Sequence, residues 1–494
     1  MTQKIGIIGA WPGGLTAAMI LSHRGYDVTV LEKQDQVGGR NGEFSIDGFR
    51  FDIGPTFLMM RSVLDDVFEL AWAKSDEYLE FILLEHMYRL HFGDTDINMY
   101  FDKDKMRQEI KRLYPDEVAG FDRYLQKEGK RFEAVLPCLS RDYSSLKQFV
   151  NSKDLIKLVP HLWLWKSVYD ILSKYFSEEK LRLAFTFQAK YLGMSPWQCP
   201  AIFTILSYIE HQYGIYHIKW GLSEISRAMA IVSRKNGTNI RLSTAVKKCH
   251  IDEKRNISEV ELENGEMLQF DQVILNADFW EAMMKLFEPQ DLKKWTPQKL
   301  DEKKYSCSTY MMYIGLDTIY DTPFHQIVFA DNYKENIEKI SRNELDVNDF
   351  SLYVRNASII DETLAPKWKS GLYILIPVAN QRSGVDWSEY HDTMRENALD
   401  ILETKAGFPK IREHIVVEKT LNPSDWQAAD VYAGSTFNLA HTLDQMIYFR
   451  PRNKFEEFKN CYIVGWGTHP GSGLPTIYES ARIVADMIEE KKSS

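Results

Sequence analysis

An α/β fold, organised around a Rossmann-like dinucleotide-binding domain with an interleaved α+β second domain and a helical region, is predicted by three stretches of the sequence. At the start, IGIIGAWPGGLTAAMILSHRGYDVTVLEK reads as strand, turn, helix and second strand ending in an acid. In the middle, Arg241 to Asp278 alternates like a small β-meander and returns with a strand ending at Asn276–Asp278. Near the end, Cys461 to Ile488 has the pattern of a closing strand and helix.

In the first unit, Ile5–Ile8 is a short apolar run suited to a buried parallel strand. Gly9 begins the turn, and Gly14 lets the helix from Leu15 to Arg24 lie close to the sheet. Val28–Leu31 follows as the second strand. Glu32 ends it 23 residues after Gly9, where a carboxylate accepts hydrogen bonds from an adenosine ribose. Gly9, Trp11, Gly13, Gly14 and Glu32 are therefore the candidate nucleotide-binding positions. Trp11 is discordant among them. The middle glycine of such a turn lacks a side chain because a pyrophosphate approaches the backbone there, beside the positive end of the helix dipole, and an indole projects into that volume.

Three further segments narrow the cofactor. Gln36–Arg40 reads QVGGR, Phe51–Thr56 reads FDIGPT, and Tyr448–Pro475 reads YFRPRNKFEEFKNCYIVGWGTHPGSGLP. With these the chain resembles the bacterial carotenoid desaturases of the phytoene desaturase family, within the wider amine-oxidase-like flavoproteins, from its start to about Ile488. Met194–His211 and Ser435–Pro451 look nearest to the dehydrosqualene (4,4'-diapophytoene) desaturases. The resemblance implies FAD as cofactor. It implies that Gly38, Gly39 and Arg40 help to hold FAD, that Gly54, Pro55 and Thr56 lie near the flavin, and that Gly465, Gly467, Thr468, His469 and Pro470 return to it; Val246 joins this set.

The same resemblance exposes a pattern of departures. Trp11, Trp220, Trp368 and Trp466, and more weakly Trp72, stand where relatives carry glycine or another small residue, whereas Trp197 and Trp426 fall where the family has tryptophan. Drift does not repeatedly convert one residue type into the largest other one at backbone-critical turns. A systematic cause is expected: a gene in which UGA specifies glycine, read as though UGA meant tryptophan. The glycine content agrees, since 27 in 494 residues is about 5.5%, below the usual figure of about 7%. Real divergence to a flavin-deficient relative, or deliberate substitution, are the alternatives.

Composition bounds the rest. The chain has 494 residues, enough for two or three interleaved subdomains, with 44% hydrophobic and 26% charged residues. A formal net charge of −10 leaves no basic footprint for nucleic acid. Five cysteines at 138, 199, 249, 307 and 461 form no CxxC pair, so a metal site is not expected and the thiols read as reduced and intracellular. No signal peptide and no run of about 18 apolar residues is evident.

The expected division is 1–75 for the first part of the FAD-binding domain, 76–220 for a mostly helical substrate and membrane-facing region, 221–300 for the second FAD-binding part with the meander, 301–450 for the substrate-domain sheet, and 451–494 for the closing strand and helix. Leu155–Leu172, LIKLVPHLWLWKSVYDIL, is too polar to span a bilayer; it suits either an interfacial segment or a buried helix lining a substrate tunnel.

The resemblance implies desaturation of a C30 or C40 carotenoid precursor, in which a hydride leaves an allylic carbon for the flavin and a proton leaves its neighbour. A carotene isomerase or terminal-methyl oxidase is the related alternative, and a noncatalytic relative the third. A hydrophobic polyene, a membrane surface met peripherally on the inner face of the cell membrane from the cytoplasm, and a quinone or oxygen as electron acceptor are the expected partners. No catalytic base is identified: His469 reads as a flavin-side turn residue, and Asp52 and Glu479 as carboxylates that could be structural.

Overall fold

The structure is a computed structural model and describes residues 2–163, 165–186, 188–189 and 193–493, the side chains at 146, 492 and 493 excepted. A five-stranded, wholly parallel sheet carries the nucleotide half. Its strands are β1 (Lys4–Ile8), β2 (Asp27–Leu31), β3 (Asn239–Arg241), β4 (Gln272–Leu275) and β5 (Cys461–Ile463), in the order β3-β2-β1-β4-β5. Isoleucine and valine dominate these strands because both faces are covered.

Helix α1 (Pro12–His23) starts with proline at its first position, where the missing N–H costs nothing. It is buried from Pro12 to Ser22, so its apolar residues surround it rather than forming one stripe. It lies on the sheet with α2 (Ser223–Lys235) and α3 (Leu474–Ser493) alongside, which places Leu15, Ala18, Met229, Tyr478 and Val484 in one core. Between β3 and β4 the chain makes the antiparallel meander Val246–Ile251, Ile257–Leu262 and Met267–Leu268.

The second domain is a seven-stranded mixed sheet in the order Ile415–Leu421, Ser308–Leu316, Ser370–Val378, Leu352–Asn356, His325–Val328, His86–His91, Asp96–Tyr100. The last two strands stand within the expected, mainly helical 76–220, where the sequence reading does not foresee them. His86–His91 pairs with His325–Val328 and carries Asp96–Tyr100 on its other side, which ties residues 86–100 to a sheet otherwise built from residues after 300. Within 76–220 the long helix is Val118–Leu139, close to the stretch expected.

A hairpin, Glu43–Ile46 with Phe49–Asp52, joins the two domains. Phe44 and Phe51 meet Tyr313 of the second sheet at 4.8 and 5.8 Å between ring centroids. The FDIGPT segment thus leaves the hairpin directly over that sheet. Leu155–Leu172 is not one helix: Lys153–Leu158 and Val168–Leu172 are helical, with a 3-10 turn at Val159–His161 and a break before Ser167. Pro160 and the Ser167 cap account for the division. Among the described residues no helix is long and apolar enough to cross a membrane.

Candidate active site

The nucleotide turn has the geometry its glycines predict. Gly9 has φ +100°, and a Cβ there would collide with the Asn276 carbonyl; a Cβ on Gly14 would collide with the Gly9 carbonyl. The Asn276 side chain locks this corner, accepting from the Gly14 N–H at 2.7 Å and donating to the Val464 carbonyl at 3.1 Å. Gly13 faces Asn276, Ile477 and Gly465 in the same corner. Glu32 is buried at the end of β2, where its carboxylate accepts from the Ala10 N–H (2.7 Å) and the Gln34 N–H (2.9 Å). Val246 opens the meander just after Thr244, whose N–H binds the Glu32 carbonyl at 2.7 Å.

The QVGGR segment folds against this turn: Gly38 donates to the Ala10 carbonyl at 2.8 Å, and Gly38 and Gly39 have φ +113° and +55°. Trp11 has an ordinary extended backbone (φ −82°), and its indole lies flat against Gly39, where a Cβ would fall inside the ring. Next to it, the guanidinium of Arg40 is clamped between two indoles, its carbon 4.8 Å from the Trp11 centroid and 4.6 Å from that of Trp466. Arg40 is buried, donates once, to the Thr436 carbonyl at 2.8 Å, and leaves Nε and Nη2 without a partner. Burial lowers its pKa to about 10, partly opposed by Asp278. Desolvation raises the buried Asp278 carboxyl to about 6, against the pull of Arg40. Asp278 also caps the following helix and accepts from the Asn438 amide at 2.8 Å.

The C-terminal segment closes the cleft. Gly465 (φ +105°) donates to Ser480 at 2.9 Å, Gly467 lies against Phe279, and Thr468 donates to the Pro451 carbonyl at 2.6 Å. His469 is buried, edge-on to Tyr143, with neither ring nitrogen hydrogen-bonded; burial lowers its pKa to about 4, so the ring is neutral. Its carbonyl accepts from Asn453 at 2.9 Å, and Pro470 continues the turn to α3.

A dinucleotide pyrophosphate needs donors and room. The donors are present: a glycine turn at the start of α1 and a buried guanidinium with two unsatisfied N–H positions. The room is not, because the Trp11 and Trp466 rings stand on either side of that guanidinium. The residues as they stand do not fit FAD.

Behind FDIGPT lies a second buried group that sequence reasoning missed. Asp52 pairs with Arg355 at 2.7 Å and accepts from the Ser223 N–H at 3.1 Å. Arg355 donates to His217 Nδ1 at 3.1 Å, which leaves the His217 proton on Nε2 to donate to Asp361 at 2.7 Å. Burial lowers the pKa of His217. Burial would raise that of Asp361, but hydrogen bonds from His217 and Thr363 outweigh it and hold the carboxyl at about 2. Beside this chain, Tyr353 Oη lies 2.7 Å from Thr56 Oγ1 and 2.5 Å from His325 Nδ1. Burial keeps the His325 ring neutral, its pKa well below the usual value, and Nε2 has no partner. Tyr313 and Tyr373 donate to the carbonyls of Ile53 and Gly54 at 2.8 and 2.7 Å, so the sheet holds the IGPT backbone in place. Pro55 lies between these anchors and Thr56. Glu479 pairs with Arg482 on α3.

Comparison with known proteins agrees with this architecture. The family model described as flavin containing amine oxidoreductase matches residues 12–488, beginning one residue past Trp11. A 4,4'-diapophytoene desaturase (4,4'-diapolycopene-forming) of Methylomonas sp is 51% identical over 491 residues, covering 99% of this chain and 96% of that protein. A 4,4'-diapophytoene desaturase (4,4'-diaponeurosporene-forming) of Staphylococcus aureus strain Newman is 33% identical, covering 99% of each. Among solved structures, an oxidoreductase from Methanosarcina mazei superposes with a TM-score of 0.65 at 16% identity, over 98% of this chain and 100% of that one.

Proposed function

The chain belongs to the flavin containing amine oxidoreductase family, and on that premise we propose that it is an FAD-dependent carotenoid desaturase acting on 4,4'-diapophytoene, a C30 polyene. The observation that carries this reading is the 51% identity to a diapophytoene desaturase along essentially the whole of both chains. FAD, when bound, supplies the acceptor for the hydride in such a reaction. With Trp11 and Trp466 in place the chain does not admit it, yet its other residues lay out the three parts of a binding cleft. Glu32 marks the adenosine end, and the Gly9–Gly14 turn lies at the phosphates. Arg40, Gly38 and Gly39 mark the phosphates, and Gly54–Thr56 with Gly465–Pro470 mark the flavin end. The hydrogen-bonded row Thr56–Tyr353–His325 holds a neutral imidazole beside that end. Its Nε2 has no partner, and the ring is set among aromatic neighbours, Phe57 at 5.5 Å and Phe324 at 4.5 Å.

The polyene dissolves only in a bilayer, so the protein works from a membrane surface. The helices Leu146–Val150 and Lys153–Leu158 support this: Val150, Ile156, Val159 and Phe449 are exposed there, interspersed with Lys147, Lys153 and Lys157. Phe149 ties this segment to Tyr448 and Phe449 at 5.3 and 6.2 Å. Quinone or oxygen is the electron acceptor in this reading.

The test is conversion of colourless 4,4'-diapophytoene in liposomes by the W11G/W466G protein loaded with FAD, with no nicotinamide added. Coloured polyenes are expected; oxidation of small amines with no action on polyenes would reject the assignment. The filled cleft supports a second reading, in which the chain as written is a flavin-deficient relative that keeps the fold. Tight FAD binding by the unmodified chain would remove it.

A further inference from the structure

We infer that six of the twelve tryptophans, Trp11, Trp72, Trp165, Trp220, Trp368 and Trp466, are glycines in the protein its own cell makes, and that with glycine there the FAD cleft is open. Backbone conformation carries most of the argument. Among the described residues fifteen non-glycine residues have positive φ, and five of them are tryptophan: Trp72 (+57°), Trp163 (+41°), Trp165 (+70°), Trp220 (+74°) and Trp368 (+64°). Such a φ is uncommon outside glycine, and asparagine or aspartate, not a bulky aromatic, is the usual exception.

Four of the five stand where backbone rules require glycine. Helix Arg61–Glu69 ends with the Trp72 N–H on the Glu69 carbonyl (2.9 Å) and the Ala73 N–H on the Phe68 carbonyl (3.0 Å). That is a Schellman closure with Trp72 at its left-handed glycine position. Trp220 and Trp368 are each the third residue of a four-residue turn, closed by Gly221 to Ile218 (2.9 Å) and Lys369 to Pro366 (3.0 Å); Trp165 directly precedes Lys166, whose N–H donates to the Trp163 carbonyl at 3.0 Å. A positive φ at the third residue is the glycine position of a type II turn.

The side chains agree with the backbone. The four rings are 87%, 91%, 48% and 75% exposed, so burial does not compensate the strain. The tryptophans with negative φ outside the cleft behave differently. Trp295 is buried edge-on to Phe279, Trp387 stacks on Tyr310, and Trp426 is buried and donates to the Thr309 carbonyl at 3.1 Å. Trp280 stacks on Tyr432, and Trp197 lies tilted against Tyr169 at 5.3 Å. Trp163 packs against Arg131 at 3.8 Å and stays outside the proposal. Trp11 and Trp466 have no backbone strain; they belong to the set because their rings fill the space beside Arg40 whose two N–H positions lack an acceptor. One cause covers both kinds of position: a UGA codon that specifies glycine, read as tryptophan.

The inference does not depend on the substrate. Its test is the codon at each tryptophan, together with the peptide masses of the protein from its own cells. UGA at the six positions and UGG at Trp197, Trp280, Trp295, Trp387 and Trp426, with glycine masses at the six, is the expected result. UGG at Trp11 or Trp466, or UGA spread over the packed five, overturns it. A second measurement uses recombinant protein. W72G/W165G/W220G/W368G should raise the midpoint of thermal unfolding, and W11G/W466G should carry FAD through gel filtration at one per chain where the unmodified chain carries none. Equal flavin content in the two overturns the claim that the rings close the cleft. Polyene turnover enters neither measurement, so a wrong substrate leaves both results standing.

Discussion

Arg40 and Arg355 are both buried guanidiniums, one in the nucleotide cleft and one under the second sheet, and their surroundings differ in kind. Arg355 faces Asp52 at 2.7 Å and the unprotonated nitrogen of His217 at 3.1 Å, with Asp361 completing the chain. Arg40 has one carbonyl and two indole faces, and the Asp278 carboxyl that pulls on it does so without a hydrogen bond. A buried charge is stable when an opposite charge and hydrogen bonds replace the lost water. Arg355 meets that condition within the protein. Arg40 does not, and its unused N–H positions lie where the turn and the start of α1 favour an anion. Among the described residues, Arg355 leaves only Nε unpaired and has a carboxylate in contact, whereas Arg40 leaves both Nε and Nη2 unpaired with no carboxylate in contact.

The largest effect expected comes from breaking the paired side. Asp52→Ala leaves Arg355 without its charge partner, and loss of one member of a buried pair costs about 3–5 kcal/mol. Urea denaturation should show this, whereas Arg40→Met in the unmodified chain should leave stability nearly unchanged or raise it. A large loss in Arg40→Met would mean that the cleft is not short of an anion.

Next comes the ligand itself. In the W11G/W466G background, Arg40→Met removes a charge-assisted contact worth about 1.5–3 kcal/mol, so FAD affinity by fluorescence quenching should fall by roughly 10- to 100-fold. An unchanged affinity would place the phosphates elsewhere.

Asp278 sharpens the contrast through pH. Its folded pKa, about 6, lies above the ordinary 3.8. The folded state therefore favours the protonated form, and the stability this contributes is present below about pH 4 and is lost as pH rises through about 6. Asp278→Asn should be more stable than the parent above that window and lose its advantage below it, as pH-resolved unfolding would report. A constant difference at all pH values would contradict the assignment.

Smaller still are the turn positions, where a left-handed non-glycine residue costs about 1–2 kcal/mol. Trp368→Gly should recover most of that without touching either arginine. Ile156→Asp should weaken liposome sedimentation with unfolding unchanged, because the residue is exposed in the folded chain. Leu162 is half-buried against the main core and would confuse the two readouts.

The nucleotide half is legible in the sequence because its constraints are local. Gly9, Gly14 and Glu32 occupy fixed offsets in one strand–turn–helix–strand unit, and β5 follows from a contiguous signature at residues 461–470. The Asp52–Arg355–His217–Asp361 chain is not, since its members come from four segments that meet only in the folded molecule. Its one sequence signal is a charged residue amid apolar neighbours, Arg355 in LYVRN and His217 in IYHI. Strands His86–His91 and Asp96–Tyr100 escape the sequence reading because short alternating strands carry little periodicity and sit beside a long helical stretch. The tryptophans at 72, 220 and 368 stand out against their neighbours in sequence; Trp165 emerges only from its backbone angle.

The parallel sheet has a consequence for biosynthesis. β1 and β2 are made within a few dozen residues of each other, but β4 waits for residue 272 and β5 for residue 461. The outer neighbours of β2 and β1 therefore come only with residues 239–275, and that of β4 only with residue 461, in a topology whose long-range parallel pairings form slowly. A nascent chain arrested before β5 exposes the edge of β4 and lacks α3, which packs on α1. Such fragments are expected to be held by chaperones or degraded, and a pulse-chase experiment should show protease resistance of the segment that holds β1 and β2 appearing only after residues 461–493 have been added.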